Sequence, residues 1–243
     1  MVKQHFWQSI SASVIGPAHT QEGKPNQDAV KIKIKKNTAI AAVSDGVGSA
    51  KHADIGAKNA CKAVIDSVKL WLKSESEEIN DLLRLIQTLW LIRIRPLKVE
   101  ECAATLLFVV VLPTKRVIMA QLGDGVVLHW DGAMLQHCLM EEKEGFSNET
   151  YALRESGILA KWKIKDFELL GNSNSFILLT DGISENIEEG QLDEFAKITD
   201  LKLRRINSAK NAEKWLIDEF ENWQTPFHSD DKTIAVLLQQ AKG

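Results

Sequence analysis

The sequence predicts an α+β layered sandwich. Apolar strands come in blocks, parted by two consecutive amphipathic helices, and one late helix precedes a closing strand. A doubly wound parallel sheet would alternate strand and helix more regularly. Three of the apolar runs end in an Asp-Gly pair, namely Ala39 to Asp45-Gly46, Val117 to Asp124-Gly125 and Phe176 to Asp181-Gly182. A fourth acidic pair, Asp230-Asp231, stands just before the run Ile234 to Leu238.

The first strands are Ser9 to Ile15, Ala29 to Lys35 and Thr38 to Val43. The second alternates Val30, Ile32 and Ile34 against lysines, the period of a half-buried strand. Lys36-Asn37 is a hairpin turn between the last two. Ala57, Cys61, Val64, Val68 and Trp71 then recur every three or four residues, which marks one face of a helix. Ile79, Leu82, Leu83, Ile86, Leu89 and Trp90 mark a second helix, stopped by Pro96. Strands return at Ala104 to Leu112, Arg116 to Leu122 and Val126 to Trp130, and Asp131-Gly132 turns the chain again. Met140 to Ser156 is polar and aperiodic, so a flap is expected at about 140–160. Phe167 to Leu170 and Ser175 to Thr180 are strands around Gly171-Asn172-Ser173-Asn174. A helix from Ala209 to Trp223 and a strand from Thr233 to Leu238 close the chain.

The 243 residues, with no Pro/Gly/Ser-rich linker, read as a single domain over 1–243. A net charge of −3 gives no broad basic surface for nucleic acid. No apolar run approaches a membrane span, and the N-terminal residues lack a signal-peptide core, so a cytoplasmic location is expected. Cys61, Cys102 and Cys138 form no Cys-x-x-Cys pair, which argues against a disulfide framework or a zinc site. The seven tryptophans fall mostly at apolar helix or strand positions, where they read as core.

A buried strand ending in a carboxylate pushes negative charge out at a sheet end. Sheet pairing can gather Asp45, Asp181 and Asp230 at one spot, and carboxylates gathered there need cations. An oxygen-only ligand set selects Mg²⁺ or Mn²⁺ over zinc or copper. The glycine after each aspartate permits a sharp turn and leaves a carbonyl free for a metal or its waters. Two ions bridged by one carboxylate can hold a water and lower its pKa, which makes a hydroxide nucleophile for phosphorus. A single Asp-Gly pair is far more often a plain turn, so the weight lies in the set.

That set resembles the metal-dependent serine/threonine protein phosphatases of type 2C. Asn26-Gln27-Asp28-Ala29 is similar to the family's Asn-Glu-Asp-Ala, and Asp45-Gly46-Val47-Gly48 to its Asp-Gly-x-Gly. Ala103-Ala104-Thr105-Leu106 resembles the entry to the next strand, and Gly123-Asp124-Gly125 resembles Gly-Asp-Ser/Gly. Leu178-Leu179-Thr180-Asp181-Gly182 resembles Leu-x-Thr-Asp-Gly, and Asp230-Asp231-Lys232-Thr233 resembles Asp-Asn-x-Thr. The form is closest to a bacterial subgroup with Gln-Asp in the first motif, and His19, Gly48-Ser49 and Asn148-Glu149-Thr150 resemble it too.

The resemblance implies a central β-sandwich flanked by helices, in α-β-β-α layers, with a dinuclear metal site at one end. It implies that Asp45 bridges two Mn²⁺ or Mg²⁺ ions, that the Gly46 carbonyl joins one, and that Asp181 and Asp230 complete the other. Asp124 would serve a third, weaker metal, and Asp28 would orient a metal-bound water or a ligand. Two positions depart from the family. Gln27 replaces the usual Glu, and Gly23 stands where the family has a phosphate-binding Arg, leaving Lys24 or His19 as phosphate contacts. The implied activity is hydrolysis of phosphoserine and phosphothreonine in a phosphorylated protein, with a partner kinase. A non-catalytic phosphoprotein-binding module on the same scaffold and a small-molecule phosphomonoesterase are the alternatives.

Overall fold

In a computed structural model of the chain, the residues described are 5–74, 76–140, 151–154, 157–188, 190–223 and 229–241. Side-chain alternation decides which way each strand faces. In β3 (Thr38–Ser44), Ala39, Ala41 and Val43 point into the space between two sheets, while Ile40 and Ala42 point to a helical layer. This strand pairs with β2 (Ala29–Lys35) through a two-residue hairpin in which Lys36 and Asn37 have φ of 49° and 64°. Positive φ at both positions matches the strand twist. Strands β4 (Leu106–Val111), β5 (Arg116–Leu122) and β8 (Lys163–Glu168) complete an antiparallel sheet of order β2-β3-β4-β5-β8.

The second antiparallel sheet has the order β1-β10-β9-β6-β7. Its strands are β1 (His5–Val14), β6 (Val126–Trp130), β7 (Leu135–Leu139), β9 (Ser175–Leu179) and β10 (Lys232–Ala241). Val127, Phe176, Leu178, Ala235 and Leu237 meet the small and branched residues of the first sheet in an apolar middle layer. Helices α2 (Ala53–Trp71) and α3 (Ile79–Ile94) cover the outer face of the first sheet. Helices α5 (Leu192–Arg205) and α6 (Ala209–Asn222) cover the second. The result is the expected α-β-β-α order. Two short helices, α1 (Pro17–Glu22) and α4 (Asp181–Ser184), lie in the connections at one end.

Several elements differ from the sequence expectation. Helix α5 was not anticipated, because two of its four buried positions are Thr199 and Asp200, which blur the apolar period. Strand β7 is an edge strand whose His137 and Cys138 are only partly covered, so it carries little apolar signal. The expected strand at Phe167 to Leu170 begins earlier, at Lys163, and it lies in the other sheet from its successor β9. Pro96 does end α3, whose last helical residue is Ile94. The tryptophans are core or core-flanking: Trp71, Trp90, Trp130 and Trp162 are buried, and Trp7, Trp215 and Trp223 pack on the clusters. Most of the expected flap, including Asn148-Glu149-Thr150, lies outside the described residues. No helix among the described residues is long and apolar enough to cross a membrane.

Candidate metal centre

Strand register brings the acidic positions to one end of both sheets. Ala29 pairs with Ser44, which sets Asp28 beside Asp45. Leu106 pairs with Leu122, just before Gly123-Asp124. In the other sheet Ile234 pairs with Leu179, which sets the Asp230-Asp231 approach beside Thr180-Asp181. Antiparallel neighbours thus contribute the end of one strand and the start of the next to the same rim.

Backbone and hydroxyl contacts fix each carboxylate. The Asp45 N–H donates to Thr105 Oγ1 at 2.9 Å, and the Thr105 N–H donates to the Asp45 carbonyl at 2.8 Å. The Gly46 N–H reaches the Gln27 carbonyl at 3.2 Å. Thr180 Oγ1 donates to Asp28 Oδ2 at 2.8 Å and accepts the Thr233 N–H at 3.0 Å, which ties the two sheets together at the rim. Asp231 is the most heavily bonded group. Its Oδ1 accepts the Gly16 N–H at 2.6 Å, and its Oδ2 accepts the Gln27 N–H at 2.6 Å and meets His19 Nδ1 at 2.9 Å.

The glycines at the rim answer to close approach rather than to turn geometry. Gly46, Gly125 and Gly182 do not have positive φ; only Gly123, at +103°, does. A Cβ on Gly46 would come within 2.6 Å of the Ala53 backbone. One on Gly182 would overlap the Asp231 carbonyl, and one on Gly125 the Leu179 carbonyl. The sharp-turn reading of these three glycines is therefore replaced by a packing one.

Electrostatics record how closely the carboxylates are gathered. Burial pushes the Asp45 carboxyl well above its ordinary range, and the charges of Asp28, Asp181 and Asp230 push it further. Asp181 is raised from 3.8 to about 8 by burial, then by Asp124, Asp230 and Asp28. Asp28 is raised to about 7, mainly by burial, despite side-chain hydrogen bonds with Thr180, Thr233 and Asp45 that favour its charged form. Asp28 Oδ1 and the Gln27 amide oxygen are buried and receive no N–H or O–H donor among the described residues. None of Asp28, Asp45, Asp181 and Asp230 has a Lys or Arg ion-pair partner there either. Crowded carboxylates, a buried oxygen without a donor and an all-oxygen donor set fit hard divalent cations.

The other sequence candidates fall as follows. Lys24 is exposed and pairs with Glu22 at 2.6 Å. His19 is half-buried against Asp231, and His19, Asp230 and Asp231 bring one ligand atom each within 4.8 Å of one another. Asp231, with its oxygens already engaged, is the weaker ligand of that trio, whereas Asp230 is exposed. Sequence reasoning assigned no role to Thr105, Thr180, Asp231 or Lys232, although all four lie inside the quoted motifs. Lys232 is fully buried, with Nζ 3.4 Å from the Asp230 carbonyl. Burial lowers its pKa, while Asp230, Asp231 and Asp28 act in the opposite sense.

A family model described as protein phosphatase 2C matches residues 15–221. The chain belongs to the protein phosphatase 2C family. Its fold is shared with solved phosphatases of low sequence identity. The photosystem II phosphatase PBCP is 14% identical, with a TM-score of 0.66, over 98% of this chain and 100% of that one. A serine/threonine phosphatase from S. agalactiae is 13% identical, with a TM-score of 0.65, over 96% and 99%. The PPM Ser-Thr phosphatase MsPP from Mycobacterium smegmatis is 16% identical, with a TM-score of 0.57, over 95% and 97%. No curated protein sequence gives a significant match. Within this 2C phosphatase, every aspartate expected at the centre lies at the same rim, and Asp45 is flanked by both sheets.

Proposed function

We propose that the chain, acting as one domain, is a Mn²⁺- or Mg²⁺-dependent phosphatase of phosphoserine and phosphothreonine in proteins. The observation that carries this reading is the gathering of Asp28, Asp45, Asp181 and Asp230 at one sheet end, where burial and neighbouring carboxylates raise the first three, within a family of phosphatases. In this reading Asp45, the Gly46 carbonyl, Asp181 and Asp230 hold two ions, and Asp124 serves a third, weaker one. When bound, the ions supply Lewis acidity that acidifies a water and offsets charge on the phosphoryl oxygens. Thr105 holds the Asp45 backbone in place, and Thr180 holds Asp28 so that its bare Oδ1 can orient water. His19 is the phosphate contact, with Lys24 as the alternative on the exposed side. A kinase that makes the phosphoprotein, a cytoplasmic location and the bacterial form with Gln27-Asp28 belong to the same proposal.

Gln27 and Gly23 favour a second reading, a phosphoprotein-binding module without turnover. Assay of phosphopeptides with EDTA, Mg²⁺ or Mn²⁺ separates the two. Asp45→Asn is expected to lose at least about 100-fold in metal-dependent rate, on the order of the effect of one lost electrostatic partner, with the circular dichroism spectrum unchanged. Full activity in that variant sinks the metal reading. Tight peptide binding without turnover in saturating Mn²⁺ selects the module.

A further inference from the structure

Asp231 is almost wholly buried, at 1% exposure, yet it makes no ion pair with Lys or Arg among the described residues. Its carboxylate instead accepts two backbone N–H groups, from Gly16 and Gln27, one on each oxygen. These two donors bracket residues 17–26, the segment that carries α1, His19 and Lys24. The same carboxylate meets His19 Nδ1 at 2.9 Å. A carboxylate only accepts, so Nδ1 must carry the hydrogen, and in the uncharged form of the ring the lone pair is on Nε2. A Cβ at Gly16 would also overlap the Asp230 backbone, so the segment is seated tightly on the Asp230-Asp231 corner.

We propose that Asp231 is a positioning residue and not a metal ligand: it clamps the 16–27 segment to the sheet end and holds His19 in a single ring tautomer, so that His19 meets the substrate through Nε2. This rests on the phosphatase reading given above and deepens it. It also gives a reason for Asp where the resembled motif has Asn. An asparagine there can accept on one side only, and its NH₂ would face either the Gly16 N–H or the Gln27 and His19 donors.

The test uses the full chain with Asp231→Asn, His19→Ala and the double variant. Metal-free proteins are titrated with Mn²⁺ by electron paramagnetic resonance. Nitrogen NMR reads the His19 ring, and turnover of a phosphothreonine peptide gives KM and kcat. Asp231→Asn is expected to keep Mn²⁺ affinity within about twofold, lose the single Nδ1–H tautomer and raise KM about tenfold, with no further loss on adding His19→Ala. A tenfold loss of Mn²⁺ affinity would make Asp231 a ligand and overturn the proposal, as would fully additive losses or an unchanged tautomer. If Asp231→Asn does not fold, His19→Ala decides: its KM must rise by more than its kcat falls, and an unchanged KM overturns the proposal. A wild type that binds Mn²⁺ but turns nothing over removes the phosphatase reading and this proposal together. A wild type that turns over, with unaltered KM in both variants, removes this proposal alone.

Discussion

Asp28 and Asp181 give the metal-free protein a pH dependence of definite sign. Burial raises Asp28 from 3.8 to about 7 and Asp181 from 3.8 to about 8. Between the unfolded and folded values the native state binds more protons than the unfolded one, so stability falls as pH rises through that window. In EDTA the melting temperature is expected to drop between about pH 4 and pH 8, and saturating Mn²⁺ is expected to flatten the drop. A flat EDTA curve would mean that these two carboxylates are not held near-neutral in the fold. Asp45, Asp181 and Asp230 were legible in the sequence because each adjoins a strong apolar strand. The His19–Asp231 contact was not, because it joins positions 212 residues apart and neither residue has a local pattern.

At the scale of elements, local sequence chemistry explains some boundaries and tertiary packing the rest. Ser208 caps α6, its hydroxyl accepting the Asn211 N–H at 3.1 Å, so Ser208→Ala should cost about 1 kcal/mol in denaturant unfolding and leave turnover alone. An unchanged unfolding midpoint would show that the cap contributes nothing. Gly182→Ala is a different case. Its new methyl meets the Asp231 carbonyl, a backbone atom that cannot step aside, and a loss of about 2 kcal/mol together with turnover is expected. Strands ending in aspartate and helices with a full apolar stripe were readable. Helix α5 was not, because Asp200 turns inward to meet Arg204.

Across the whole molecule the two ends of the sandwich do different work. At the end opposite the aspartates, Arg204 binds both oxygens of buried Asp200 at 2.9 Å and the carbonyls of Gln239 and Ser173. Arg204→Ala strands a buried carboxylate and should cost about 3 kcal/mol in thermal unfolding, while cold assays keep full turnover. Loss of activity below the melting range would mean that the two ends are coupled. A layered sandwich was legible from the blocks of strands, and its α-β-β-α order from the family resemblance. The assignment of strands to sheets was not, since β8 and β9 are neighbours in sequence and belong to different sheets.

Among the apolar residues that fill the seam between the sheets are three small ones, Ala39, Ala41 and Ala235. Asp45 hangs from one wall of that gap and Asp181 from the other, so the spacing of the walls sets the spacing of the charges. The protein is thereby a caliper of its own interior. A wedge such as Ala41→Leu, buried mid-strand, should open the jaws and silence the enzyme at temperatures where the chain is still folded.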